Sequence, residues 1–330
     1  MQIRTRKQPI EAGLLSLDVR TAAKLIARIP LLVLCGLLFT GCNPRSVPID
    51  DDDSGDDDDS GDDDDSGPPM VCNGHADLCD LPFDQLVFPA THNSMSNAAE
   101  GWIAPNQQYG MDRQLQDGIR GMLIDTKEWN GDLYLCHGSC ELGSILLSDA
   151  LAILREFLVA APSDLLVLVI QDDITPEQTA EAFAEAGLDS YLYAHTEGTD
   201  WPLVRSLVEA DTRLLVSAEV GGAPPAWYHH AWDLFQDTDY AFSDLSAIHC
   251  DPNRGSDDSP LFLMNHWVDG FLGLPVEADA AEANSAKILE AQVARCAAER
   301  GLRPNLVAVD FYATGDLFEV VDRLNGVGGD

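Results

Sequence analysis

An α/β fold curled into a barrel, closed or slightly irregular, is what the sequence predicts, and three observations carry it. From Met70 onward, short apolar runs alternate with amphipathic stretches of helical length. Several of the runs are unbroken Leu, Val and Ile, as expected of parallel strands covered on both faces. Nearly every run ends in a polar or ionisable side chain, at the strand end where such barrels keep their chemistry.

The run at 86–90 opens the series and delivers His92 and Asn93 from the stretch FPATHNSMS. The run at 121–125 delivers Asp125 and then Lys127. Both share a face with Leu123, because alternate residues of a strand do. The run at 133–136 leads to His137, that at 165–170 to Gln171, Asp172 and Asp173, and that at 213–218 to Glu219. The run at 261–265 ends in Asn265-His266-Trp267, and the last, 306–311, carries Asp310 with Tyr312 beyond it. Helices are predicted over 147–160, 176–186, 202–210, 281–300 and 318–324. The first sets Leu147, Leu151, Leu154, Phe157 and Leu158 along one side, and Thr175 before Pro176 is a helix start. No linker-like stretch divides residues 70–330, so they are expected to form one barrel domain.

The preceding residues are not part of that fold. IPLLVLCGLLFT, residues 29–40, is too short to span a bilayer as a helix. It follows a basic region and ends in Gly41-Cys42, so residues 1–41 read as an export signal. The Gly-Cys ending resembles a bacterial lipobox. That likeness implies a lipidated Cys42 as the mature N-terminus, holding a cell-envelope lipoprotein on a membrane. Residues 42–69 contain DDDDSG three times over, a solvated, self-repelling tether that buries nothing.

Charge excludes whole classes of partner. Residues 1–69 hold seven basic and fourteen acidic side chains, so the remaining 261 residues carry −30 of the total −37. Nucleic acid requires a basic face and is excluded; tight docking on anionic lipid is disfavoured too. Beyond Cys35 and Cys42 six cysteines remain: Cys72, Cys79, Cys136, Cys140, Cys250 and Cys296. An even number in an exported chain points to three disulfides, of fifteen possible connectivities. Closeness in sequence favours Cys72–Cys79 and Cys136–Cys140, which leaves Cys250–Cys296. Zinc is the weaker reading, since no CxxC or HxxxH spacing supports it.

Two histidines on separate strand ends, His92 and His137, suggest paired acid–base chemistry, because imidazole titrates near pH 6.5. One removes a proton while the other, protonated, donates one. The matching reaction is displacement at a phosphodiester by an internal hydroxyl. A carboxylate behind the base fixes its tautomer, and a cation offsets charge developing on the phosphate.

The run CNG…LC, THNS after a strand, GIRGMLID, CHG with a following Cys, Cys250-Asp251-Pro252-Asn253-Arg254 and NLVAVDFY, taken in order, resembles the X domain of phosphatidylinositol-specific phospholipases C over about residues 72–325. The likeness is nearest to the X-domain-containing proteins of plants and their bacterial relatives. It implies a TIM-like barrel that cleaves phosphatidylinositol through a cyclic inositol phosphate. By position His92 matches the general base, His137 the general acid, Asp310 the carboxylate paired with the base, and Asp125 the second-strand aspartate. Asn93, Arg120, Gln171, Asp172, Asn265 and Tyr312 are the expected substrate contacts.

The cation departs from the family's patterns. Calcium-dependent relatives use an Asn after the base, a Glu and an Asp at i and i+2 on the second strand, and a fourth-strand Glu. This chain has Asn93 and Asp125, but Leu123 in place of the Glu, and Gln171 and Asp172 on the fourth strand. Metal-independent relatives place an Arg two residues beyond the aspartate; here that residue is Lys127. The expectation is therefore Lys127 as electrostatic partner, with no cofactor, or with weakly bound calcium on Asn93, Asp125 and Asp172. The expected partner is a phospholipid or glycolipid with an inositol phosphate headgroup, met by a monomer. The competing readings are a non-catalytic X-domain surface protein that binds inositol-bearing lipids or glycans, and a different phosphodiesterase on the same barrel. The latter needs the carboxylate pair that Leu123 interrupts.

Overall fold

The computed structural model describes residues 69–270 and 273–328; the predicted export signal, Cys42 and the acidic tether lie outside them. Ten strands form one sheet: β1 Phe88–Thr91, β2 Gly121–Trp129, β3 Asp132–Leu135, β4 Ile145–Leu146, β5 Leu166–Asp173, β6 Leu214–Ala218, β7 Tyr228–His230, β8 Phe235–Asp237, β9 Leu261–Asn265 and β10 Leu306–Val309. Eight are parallel, in the order β7-β6-β5-β2-β1-β10-β9-β8. The remaining two, β3 and β4, extend β2 as an antiparallel flap. One helical turn, α1 Ala231–Leu234, joins β7 to β8. Those two strands share no ladder among the described residues, so the curled sheet has its seam there. All seven predicted strands are present; the one at 261–265 has the predicted bounds and the other six have shifted ends. The unpredicted β4, β7 and β8 have two or three residues each, too few to show a period.

Strand alternation divides the apolar residues into two cores. Val87, Met122, Leu168 and Val307 face outward and pack under the helices. Phe88, Ala90, Val167, Val169, Leu263 and Ala308 face inward and fill the barrel. Each Val, Leu, Phe or Met among them, fully buried, contributes about 1.5–3 kcal/mol. The inner layer is tight at Gly121, where an added Cβ would lie 2.7 Å from both the Ala90 Cβ and Leu306 Cδ2.

The outer layer includes α2 Leu147–Ala160, as predicted, and α3 Pro176–Glu185, closed at its start by a Thr175/Gln178 capping box. The helix predicted over 281–300 is two helices, α4 Glu277–Ala283 and α5 Ala286–Arg300. Asn284 lies between them because its buried amide is used elsewhere: Nδ2 donates to the Asp310 carbonyl at 2.8 Å and the Thr314 carbonyl at 3.1 Å. Short side chains that bond to backbone favour such breaks. Cys72–Cys79, Cys136–Cys140 and Cys250–Cys296 are all bonded.

Candidate active site

The inward alternation continues past the last apolar layer. His92 follows Ala90, Asp125 follows Leu123, Gln171 follows Val169, Asn265 follows Leu263 and Asp310 follows Ala308, each two residues on. The strands therefore aim their polar ends into one cleft of about 310 Å³ at the C-terminal end of the barrel.

One side of the cleft is built on His92. Its Nδ1 lies 2.9 Å from Asp310 Oδ1, so Nδ1–H donates to the carboxylate and Nε2 is left free. Asn106 Nδ2 donates to both Asp310 oxygens, at 3.1 and 3.2 Å. Gln107 Nε2 joins the two strand ends, donating to the carbonyls of His92 at 2.7 Å and Val309 at 3.0 Å. The Trp267 ring lies parallel to the His92 imidazole, with centroids 3.8 Å apart. Asn93 adopts a left-handed backbone conformation (φ 44°), which Asn tolerates, and its Nδ2 donates to Asn106 Oδ1 at 3.3 Å.

His137 stands across from this group, its ring centroid 6.4 Å from that of His92. Its Nδ1 lies 3.0 Å from Asp125 Oδ2. That hydrogen bond, ahead of the opposing desolvation, raises the His137 pKa above its ordinary value. A raised pKa lets the imidazole hold its proton to higher pH, and the protonated state is the one that an acid requires.

The cleft wall also carries an arginine, the last residue of the motif Cys250-Asp251-Pro252-Asn253-Arg254. Arg254 donates from Nη2 to Asp237 Oδ2 at 2.6 Å and pairs through Nη1 with Glu219 Oε2 at 3.0 Å. Its guanidinium lies over the rings of Trp232 and Tyr240. Burial pushes the Glu219 and Asp237 carboxyls up, and Arg254 works against the shift in both. Burial likewise raises Asp269, on the cleft wall. Arg254 is the one Lys or Arg lining the cleft among the described residues.

Other predicted site residues lie elsewhere. Lys127 is not on the cleft wall; its Nζ donates to the Gly138 carbonyl at 3.1 Å and sits 3.8 Å from Asp173 Oδ2. Asp172 alternates outward and accepts from the amides of Val220 at 2.8 Å and Gly221 at 2.7 Å. Arg120 precedes β2, away from the C-terminal rim, and pairs with Asp164 at 2.7 Å. The Tyr312 hydroxyl donates to Asp117 at 2.8 Å, in the outer layer. Gln171 and Asn265 do line the cleft, but Asn265 is held inside the protein by Asp237 Oδ2 at 3.2 Å and the Thr238 carbonyl at 2.7 Å.

This donor set does not fit a built calcium site. Calcium takes six to eight oxygens. Of the expected ligands, Asp172 faces away, Asp125 Oδ2 is engaged by His137, and Leu123 holds the inward position that a further carboxylate would need. Among the described residues, no three His, Cys, Asp or Glu side chains converge as ligands.

Comparison with known proteins bears on the family and the fold. The PI-PLC X family model (PI-PLC X 1) matches residues 78–325. A PI-PLC X domain-containing protein of Arabidopsis thaliana is 33% identical over 78% of this chain, which spans 65% of that protein's length. PI-PLC X domain-containing protein 1 of Arthroderma benhamiae is 28% identical, over 78% of this chain and 90% of its own. An uncharacterized secreted protein of the same fungus is 26% identical, over 78% of this chain and 64% of its own. Two solved structures of variants of the phosphatidylinositol-specific phospholipase C from Staphylococcus aureus, each 15% identical, share the fold with TM-scores of 0.52 and 0.53. They cover 76% and 77% of this chain and 94% and 95% of theirs. With its family pattern matched across the whole barrel, the chain belongs to the PI-PLC X domain family.

Proposed function

We propose that the protein is a phosphoric diester hydrolase of the phosphatidylinositol phospholipase C kind, acting by two-histidine acid–base catalysis. The observation that carries this reading is the pair of His–carboxylate couples, His92–Asp310 and His137–Asp125, facing each other across one cleft. His92 Nε2 takes the proton of a headgroup hydroxyl vicinal to the phosphate, and that oxygen bonds to phosphorus. The phosphorus–glycerol oxygen bond breaks as His137 gives its proton to the departing alkoxide. The products are diacylglycerol and a cyclic inositol phosphate. A water entering by the reverse proton transfers opens the ring.

Arg254 faces the same cleft and offers donors to headgroup hydroxyls. No metal enters any step. The lipobox-like Cys42 and the acidic tether would hold this exported domain near a membrane without basic contacts. The test is release of water-soluble inositol phosphate from phosphatidylinositol by residues 70–330, in EDTA and in calcium, with His92→Ala and His137→Ala alongside. Activity that persists in EDTA and falls in both variants supports the reading. A folded, oxidised wild-type protein that releases nothing in either condition overturns it in favour of a binding role.

A further inference from the structure

We propose that the Cys136–Cys140 disulfide and Lys127 together form a clasp that positions His137, so that the two cysteines and the lysine are positioning residues for leaving-group protonation. This rests on the acid role given to His137 above.

The need for a clasp follows from where His137 sits. His92 is fixed by parallel contact with Trp267 and by a buried carboxylate. The His137 side chain has no such enclosure: it is 56% exposed at the rim of the cleft. Among the described residues, its one side-chain hydrogen bond goes to Asp125. An exposed side chain on an irregular segment samples several rotamers unless its backbone is fixed. Here the backbone is fixed three times within five residues. At the start, the amide of buried Cys136 donates to the Asp125 carbonyl at 3.1 Å, so one residue of β2 holds both the backbone before His137 and its imidazole. In the middle, Gly138 takes a left-handed conformation (φ 65°), and its carbonyl accepts from Lys127 Nζ at 3.1 Å. At the end, Cys140 closes the loop covalently on Cys136, with Cα atoms 5.1 Å apart.

The clasp also accounts for Lys127. It shares the inward-facing register of Leu123 and Asp125, but two residues beyond Asp125 it stands above the barrel rim. There it meets the Gly138 carbonyl and Asp173 rather than the cleft. Its charge is used on the loop that carries the acid.

Placement of this kind has a distinct kinetic signature. An alkoxide leaving group needs the acid, whereas a nitrophenolate leaves without it. A displaced acid therefore slows cleavage of a lipid but not of an aryl ester, while a general structural defect slows both. Misplacement by about 1 Å costs on the order of 100-fold.

The experiment compares wild type, His137→Ala, Cys136→Ala/Cys140→Ala and Lys127→Met on phosphatidylinositol and on a nitrophenyl ester of inositol phosphate. The His137 imidazole is titrated by NMR in each protein that retains it. In the cysteine-free variant, kcat on the lipid should fall about 10- to 100-fold, as in His137→Ala. On the aryl ester it should change by less than about threefold, and the His137 titration should move down toward that of a free imidazole. Lys127→Met should lower kcat on the lipid by a smaller factor and again spare the aryl ester; because the Lys127 charge itself holds the His137 pKa down, no downward move of the titration is expected in this variant. Equal losses on both substrates, or no loss on the lipid with an unmoved titration, would overturn the clasp. If wild type cleaves neither substrate, the function reading fails instead. The NMR titration then decides the clasp alone, and an unmoved His137 in the cysteine-free variant overturns it.

Discussion

Replacing Asp310 by Asn tests the core of the site while changing hardly any volume. Asp310 is buried, and its two oxygens accept from His92 Nδ1 and, together, from Asn106 Nδ2. An asparagine there has one oxygen and one NH2 group. If the NH2 faces His92, Nδ1 must accept, the proton moves to Nε2, and the imidazole presents the wrong nitrogen to the substrate hydroxyl. Rotating the amide by half a turn restores the oxygen to His92. It also drives the NH2 against Asn106 Nδ2, which touches both positions, and donor then meets donor. Neither orientation satisfies all partners, so the base tautomer is lost or a buried group is left unpaired. Loss of the correct tautomer elsewhere costs about 10⁴ in kcat. General-base loss lies at about 10²–10⁴. A fall of about 10³–10⁴ is expected, equivalent to about 4–5.5 kcal/mol of transition-state stabilisation, with a folding cost of about 1.5–3 kcal/mol. Initial rates on phosphatidylinositol micelles measure the first, and urea denaturation the second. A folded Asp310→Asn protein within tenfold of wild type would refute the assignment of His92 and Asp310 as base and orienter.

Three further outcomes follow from the same geometry. The His137 pKa is raised, chiefly by the Asp125 hydrogen bond. The stabilisation from this pair is therefore full below about pH 6.5 and fades as pH rises through the raised folded value. The alkaline limb of kcat/KM should lie on that raised side and move acidward in Asp125→Asn; a pH–rate profile with a stationary limb would count against His137 as the acid. Arg254→Met should destabilise the fold by about 3–5 kcal/mol, since it leaves the fully buried Asp237 carboxylate without its partner, and Asp237→Asn should recover much of the loss. Equal urea midpoints for wild type and Arg254→Met would contradict this. Val220 and Leu274, 77% and 45% exposed, adjoin Glu219 and Gly273 of the cleft wall. Changing both to Asp should lower the rate on lipid vesicles at least about tenfold, given about 1.5–3 kcal/mol for each apolar side chain buried. A soluble short-chain substrate should be unaffected, and equal effects on both would exclude a rim that meets lipid.

Much of this site was legible because strands are periodic. Once Leu123 is assigned inward, Asp125 must be inward and Asp172, one residue beyond inward Gln171, must be outward. That parity was available from the sequence, and applied strictly it would have removed Asp172 from the candidate ligands. The missed residues have a different origin. Asn106 reaches Asp310 across 204 positions from a segment with no period. Arg254 arrives from the long connection between β8 and β9, where neither alternation nor helical spacing applies. Trp267 stands two residues beyond the end of β9. It is buried, yet its face is in contact with the candidate base, a partner that only tertiary structure reveals. The break at Asn284 was likewise invisible, because the amide that interrupts the helix serves a carbonyl 26 residues away.

The distribution of charge around the cleft sets its chemical preference. Leu123 removes a carboxylate from the second strand, and Lys127 is occupied above the rim, so, among the described residues, neither a built cluster of metal-ligating carboxylates nor a strand-borne cation lines the cleft. The positive groups that remain on the wall are His137, when protonated, and Arg254. Arg254 is already paired with two carboxylates, and Asp269 adds a third acidic group nearby. A second phosphate on the headgroup would enter this region against Glu219, Asp237 and Asp269, with no uncompensated cation to receive it. Neutral hydroxyls meet no such penalty, since guanidinium donors and carboxylate acceptors both bond to them. On the proposed function, this wall favours an inositol carrying only the diester phosphate. Competition between phosphatidylinositol and its 4-phosphate in one vesicle should show at least about a tenfold preference for the former, since each unfavourable 1.4 kcal/mol costs a factor of ten. Equal cleavage of the two lipids would mean that the acidic wall does not face the headgroup.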